Sequence, residues 1–483
     1  MPYKRKTSIL RCIDWPTALL YLFMVVAGWF TICGASYEYE SIGLFDPSGR
    51  PGSQLIWIAL SFAIVFIILM LDADFFSVFA YLFYGASVLL LIATIFLAPD
   101  IKGSHSWLVL GPLRIQPAEF AKFATALALA KVMSSYGFQL MTFKNVLRVF
   151  AIILLPLACI LLEKETGSAL VYLAFFLVLY REGMSGYVLL AGLSAITFFV
   201  VSLKFSDTLL GAATPLGEWL VLLLIQIIAI VLVWLVRHDS FPAKLLLYLT
   251  AGAYLAAYAA SFFVTVNFVW IALGLLAFTG GYLLFLAFKA WNARYLLVLL
   301  FATLSTGFLY SVDYVFNNVL EPHQQTRIKV SLGLEDDPGG AGYNVNQSMI
   351  AIGSGGLYGK GFLNGTQTKL KYVPEQDTDF IFCTVGEEEG FIGSSLVLIA
   401  YALFIIRLFA LSEKQDNTFA RVYGYSVASI FFIHLIINIG MVIGITPVIG
   451  IPLPFFSYGG SSLWGFTILL FIFLRMDAAR KER

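Results

Sequence analysis

Apolar stretches of about twenty residues, the length an α-helix needs to cross the hydrocarbon of a bilayer, recur in this chain from Trp15 to Leu474 and leave it few ways to fold. Inside lipid every backbone N–H and C=O must be satisfied within the protein, so such stretches form helices rather than open sheets. Hydrophobic residues make up 60% of the 483 and charged residues 12%, which excludes an ordinary soluble domain. A net charge of +1 supplies no general field for nucleic acid, and no nucleic-acid partner is expected. The expected fold is therefore an all-α polytopic membrane bundle.

Lys and Arg in short loops mark the cytoplasmic face. Lys4, Arg5, Lys6 and Arg11 precede the first span, near 15–35, and place the N-terminus inside. No small-residue cleavage site follows, so this span is expected to be retained. Alternating the basic loops down the chain gives about 14 transmembrane helices with both termini cytoplasmic, including a hairpin over 245–288. Cys12, Cys33, Cys159 and Cys383 are scattered without CxxC spacing and read as small buried hydrophobes. The middle of the chain, about 203–294, has few charges and no polar constellation, which points to packing or partner binding without chemistry.

Against this background the segment from Gly339 to Gly390 is polar and dense in glycine. Glycines between Gly339 and Gly365 permit positive φ and close backbone approach, the mark of a chain that folds back to hold something. Carboxylates gather at its far end, Glu375, Asp377 and Asp379, then Glu387, Glu388 and Glu389 at the head of a span. Acids there are costly to place and mark a functional site. Asp379 follows Thr378, a capping residue for the helix that enters the membrane, and so stands beside a positive dipole; the other reading of Asp379 is a plain capping acid. Glycine N–H groups, with Gln325 and Arg327 upstream and Lys360, Gln367 and Lys369 within, suit phosphate oxygens, and a re-entrant loop without ligand is the competing reading.

Two further polar patches fall on the same expected side. Trp107, Arg114, Gln116, Glu119 and Lys122 form one of them. Glu119 and Lys122, three apart on a helix face, either line a site or merely neutralise each other, and Trp107 is either an interfacial anchor or a ligand contact. Glu163, Lys164, Glu165 and Thr166 close the fifth span, where charges either snorkel to water or join the site. A Gly- and Pro-rich stretch from Asn438 to Ser462 breaks helix regularity and forms the floor of the same site. No P-loop, HExxH, GxSxG or zinc-like spacing is present.

In order along the chain stand KGSHSW with QPAEFAK, ETGSALV, GAGYNVNQSMIAIGSGGLYGKGFLNGTQ, VPEQDTDFIF with GEEEG, and NIGMVIGITPVIGIPLPFFSYGGSS. This ordered set resembles the shape, elongation, division and sporulation (SEDS) family of membrane proteins, that of RodA, FtsW and SpoVE, over nearly the whole chain except its middle. The loop and the PVIGIPLP stretch look more like the elongation-type members. Ser106 stands where the family usually has Arg, and Lys164 and Glu165 stand where Pro and Asp are usual. Members typically have about ten spans, so about four additional helices are expected at 204–294. They would separate an N-terminal core, 1–203, from a C-terminal core, 295–483, that includes an extracytoplasmic loop at 317–379.

The resemblance implies a peptidoglycan glycosyltransferase that polymerises lipid II into glycan strands at the outer face of the bacterial cytoplasmic membrane during elongation. It also implies a class B penicillin-binding protein and the elongation complex as partners. By the TDF match Asp379 occupies the position of the family's essential carboxylate, as base or metal-assisted activator. Arg327, Lys360, Gln367 and Lys369 would contact pyrophosphate or the loop, and Trp107, Glu119 and Lys122 would shape the substrate cavity. A divalent cation, magnesium or manganese, suits the leaving pyrophosphate, and no organic cofactor is implied. Two alternatives stay open at this point: a lipid II flippase, which needs no base, and a non-enzymatic scaffold of the elongation complex.

Overall fold

The computed structural model describes residues 9–36, 45–100, 104–111, 113–206, 208–211, 213–237, 240–320, 322–335 and 341–482; Lys4, Arg5, Lys6, Lys102, Gly103, His238 and Gly339 lie outside them. Twelve helices among the described residues are long and apolar enough to cross a membrane, and the protein is an all-α, multi-pass membrane protein. Two of the expected spans fall short of that length. Pro117–Met133 has 17 residues. The stretch at 166–181 divides into Thr166–Val171 and Ala174–Arg181, because Tyr172 and Leu173 donate to the carbonyls three residues back, Ala169 and Leu170, tightening the turn between them.

The chain packs into two compact units, Met1–Met184 with Pro338–Arg483, and Ser185–Asp337. In the first, Pro117–Met133 is the central helix, packed on Ala80–Leu97, Phe143–Leu162, Thr418–Val442 and Gly460–Glu482. Pro117 opens it at a position where no backbone donor is lost. Ala118, Ala121, Ala124, Ala126, Ala128 and Ala130 are all fully buried, and such small side chains let neighbouring helices approach closely. The same packing draws Glu119 and Lys122, 2% and 1% exposed, into the interior.

One end of this unit is tied by ion pairs: Arg407 with Asp14 (2.7 Å), Arg181 with Glu413 (2.7 Å), and Arg421 with Glu182 (2.9 Å). At the other end the long helix Ile381–Glu413 is interrupted at Gly390, whose φ of 66° and ψ of −161° suit glycine. The glycine-rich loop repairs the break. Lys360 and Gly361 N–H donate to the carbonyls of Glu387 and Glu388, and Phe391 and Ile392 donate to Gly356 and Leu357. The freed groups of the helix therefore find partners inside the protein, as membrane depth demands.

The second unit contains the helices Gly186–Lys204, Leu216–Arg237, Ser240–Ser261, Phe268–Ala290, Arg294–Asn318 and Pro322–Ser331. Its middle is not free of polar constellations. Gln226 donates to Thr250 (3.0 Å) and Thr279 (2.9 Å), and Thr250 donates to Leu246 O (2.7 Å), all buried. A lone amide in an apolar helix escapes notice in the sequence because its partners are hydroxyls on two other helices. All four cysteines are buried.

Candidate functional site

Three stretches remote in sequence meet at Gly450. Its φ is +78°, and a Cβ there would come within 3.1 Å of Asp379 Oδ2. A Cβ on Gly167 would come within 3.1 Å of the Gly450 carbonyl. The Asp379 carboxyl thus lies against the α-carbon of Gly450, and the first turn of the Thr166–Val171 helix lies against its carbonyl. Asp379 itself is half-buried on the turn that leads into Ile381–Glu413. Its backbone is held from two sides. Asn438 Nδ2 donates to the carbonyls of Asp379 (2.8 Å) and Ile451 (2.7 Å). Ser457 Oγ donates to Thr378 O (2.6 Å), and Tyr458 N donates to Asp377 O (2.8 Å). Arg50 pairs with Asp377, its guanidinium 5.7 Å from the centre of the Tyr458 ring. Thr378 does not cap the helix as expected: its hydroxyl donates back to Glu375, and Phe380 occupies the cap.

Beneath this lies a buried polar chain. Lys122 Nζ donates to Glu119 Oε1 (2.8 Å) and to His434 Nε2 (3.0 Å), while His434 Nδ1 lies 3.2 Å from Pro452 O. An ammonium only donates and a carbonyl only accepts, so His434 is held as the neutral tautomer with its proton on Nδ1. Glu119 Oε2 is buried with no hydrogen-bond partner among the described residues. Beside it Glu165 Oε1 accepts from Gln116 Nε2 (2.5 Å) and from Ser168, while its Oε2 and both oxygens of Glu163 are buried without partners among the described residues. The Glu163 carboxyl is pushed up to about 8, chiefly by burial and then by the charge of Glu165, and that of Glu165 is raised mainly by its own burial. His105 N–H donates to Glu163 O at 3.0 Å, which fastens the segment before the Leu108–Leu110 strand to this turn. Trp107, on that segment, is half-buried, and Ser106 is buried with its hydroxyl on Ser104 (2.6 Å).

The glycine-rich loop is organised by a different acid. Glu387 Oε1 accepts from Lys360 Nζ (2.7 Å), Thr366 N (2.7 Å), Thr366 Oγ1 (3.2 Å) and Gln367 N (2.8 Å), and its Oε2 accepts from Thr368 N (2.9 Å). The Lys360 ammonium and the Gln367 backbone are therefore committed to holding the loop, and Lys369 ends the short helix Thr366–Lys369, half-buried. Arg327 lies on Pro322–Ser331, in the second unit. So Asp379, Glu119 and Lys122 share one unit with Lys360, Gln367, Lys369 and Trp107. The sequence reading missed His434, set between Ile433 and Leu435 in an Ile- and Phe-rich stretch. Its signal was Asn438 four residues on, which puts both on one face.

A family model described as cell cycle protein, covering FtsW, RodA and SpoVE, matches residues 16–214 and 271–482. This chain belongs to the FtsW/RodA/SpoVE family. The two matched stretches leave 215–270 unmatched. Peptidoglycan glycosyltransferase RodA of Treponema pallidum is 31% identical over 425 residues, 88% of this chain and 89% of that one. Among solved structures, a chain of a peptidoglycan synthase complex described as coordinating polymerization and crosslinking superposes with a TM-score of 0.63 at 23% identity, over 97% of this chain and 98% of that one. The crystal structure of the rod shape determining protein RodA of Thermus thermophilus does so with a TM-score of 0.54 at 22% identity, over 97% of each chain. Members of this family and this protein thus share a fold.

Proposed function

We propose that this protein is a peptidoglycan glycosyltransferase that polymerises lipid II into glycan strands at the outer face of the cytoplasmic membrane, with Asp379 taking the proton of the attacking sugar hydroxyl. The activity is that of the Treponema relative, which aligns with most of this chain. The observation that supports the site is the meeting of Asp379, Gly450 and Gly167, with Asn438 fixing the Asp379 backbone. A hydroxyl attacking an anomeric carbon sheds a proton as undecaprenyl pyrophosphate leaves. A half-buried carboxylate on a braced turn can receive that proton with little reorganisation. Lys122 is a buried cation of the same unit, paired with Glu119, and is the proposed electrostatic support for the departing pyrophosphate.

Lys369 is the proposed pyrophosphate contact at the loop, while Lys360 and Gln367 hold the loop itself. Trp107 and Glu119 shape the cavity. A divalent cation remains part of the proposal only as a companion of the substrate. No group of three or more His, Cys, Asp or Glu converges among the described residues, and in this proposal the ion takes most of its ligands from pyrophosphate and water. Both termini are assigned to the cytoplasm, where Arg181, Arg407 and Arg421 gather at one end of the unit. A class B penicillin-binding protein and the elongation complex are the proposed partners.

The test compares wild type with Asp379→Asn, using purified protein, fluorescent lipid II, a divalent cation and the penicillin-binding partner. Polymer from wild type and a loss of about 10²–10⁴-fold in a folded variant is the expected result for a general base. Equal polymer from both would remove Asp379 from the mechanism. No polymer from either would move the reading to flipping or scaffolding.

A further inference from the structure

We infer that His434 is a positioning residue that holds Lys122 and the backbone beneath Asp379 in one fixed relation; the inference rests on the transferase reading above. Glu119 and Lys122 belong to one helix and by themselves set no distance to any other element. His434, on Thr418–Val442, supplies the tie. Its Nε2 accepts from Lys122 at 3.0 Å and its Nδ1–H donates to Pro452 O at 3.2 Å. Pro452 is two residues from Gly450, against which the Asp379 carboxyl packs. One helical turn along the same face, Asn438 holds the neighbouring carbonyl of Ile451 and that of Asp379 itself. The stripe of His434 and Asn438 therefore grips two consecutive carbonyls of the irregular 450–452 segment, with the buried cation at one end and the proposed base at the other.

The ring is pinned as well as bonded. His434 stands edge-on to Phe466 at 4.8 Å, and the Lys122 ammonium lies 4.9 Å from the same ring. His434 is 1% exposed and Lys122 1%, so a lost hydrogen bond there cannot be replaced by bulk water. Both nitrogens of the imidazole are used, one as acceptor and one as donor. Glutamine also offers a donor and an acceptor in a neutral group, through its amide and its carbonyl, at the end of a side chain of similar reach.

The test measures kcat and KM for lipid II polymerisation, together with thermal unfolding, for wild type, His434→Gln and His434→Phe in the presence of the penicillin-binding partner. Phenylalanine keeps the packing on Phe466 and loses both hydrogen bonds, whereas glutamine keeps the bonds and loses the ring. The expected result is a folded His434→Phe whose kcat falls at least about tenfold, equivalent to about 1.4 kcal/mol of barrier, with KM nearly unchanged, and a His434→Gln within a few-fold of wild type. Wild-type kcat in His434→Phe, a loss confined to KM, or equal kcat losses in both variants would each overturn the inference while leaving the transferase reading intact. Should His434→Phe not fold, His434→Gln decides alone: retained kcat supports the inference and a tenfold loss sinks it. Absence of polymer from wild type would sink both readings.

Discussion

Two groups of buried carboxylates in the first unit are treated very differently. Glu387 accepts five hydrogen bonds, from Lys360, Thr366 (two), Gln367 and Thr368, so each of its oxygens is engaged. Glu119 and Glu163 are as hidden from solvent and Glu165 is half-buried, yet among the described residues Glu119 and Glu165 each leave one buried oxygen without a partner and Glu163 leaves both. Buried polar groups are normally satisfied, because leaving one unmade costs about 1–3 kcal/mol. The saturated acid is therefore a fastener for the loop. The open oxygens of these three carry a cost that stability alone does not explain, and Glu163 and Glu165 lead directly into Gly167, which packs against the Gly450 carbonyl. The difference separates architecture from chemistry among residues of one type.

Substitutions sharpen that contrast. Glu387→Ala strips the clamp and leaves Lys360 without its carboxylate, so it should destabilise the protein by about 3–5 kcal/mol and open the 355–368 segment to hydrogen exchange; an unchanged unfolding temperature would break the contrast at its structural end. Glu165→Gln should do the reverse. It removes an ionisable carboxyl while keeping the shape that Gln116 and Ser168 grip, so unfolding temperature should hold or rise, while polymerisation falls about tenfold or more, the usual trade of a site for stability. Full activity in that variant would return Glu165 to architecture.

The smallest effect concerns Glu163 and is read through pH. Its carboxyl sits at about 8 in the folded protein, against an ordinary value near 4.3 in the unfolded chain. Between those values the native state keeps a proton that the unfolded state has lost, so stability falls as pH rises from about 4 to 8 and levels off above. Glu163→Gln should flatten this slope and raise the unfolding temperature by a few degrees at pH 8, with little change at pH 5. Identical pH profiles for the two proteins would contradict it.

Much of this was readable beforehand for a physical reason: lipid permits one solution for an isolated chain segment, so hydropathy locates most spans. Pro117–Met133 and 166–181 fell short of the expected length because close packing, not lipid contact, determines a central helix. Glu119 and Lys122 were legible as a pair from their spacing, since both lie on one helix. The third member, His434, was not, because its partners come from residues 312 positions away and from a backbone carbonyl. Lys360 looked like a ligand for anions because sequence shows its charge but not Glu387 standing opposite. Thr378 looked like a cap because the turn that bends it back to Glu375 leaves no trace in residue type.

The Gln226 network has a consequence for the order in which the protein is made. The ribosome delivers Gln226 to the membrane 24 residues before Thr250 and 53 residues before Thr279. At about 5–20 residues per second, that amide waits about 3–10 s for its last hydroxyl. Through that interval the newborn helix Leu216–Arg237 carries a polar group whose last hydrogen-bond partner has not yet been made, and the arrival of Phe268–Ala290 completes it.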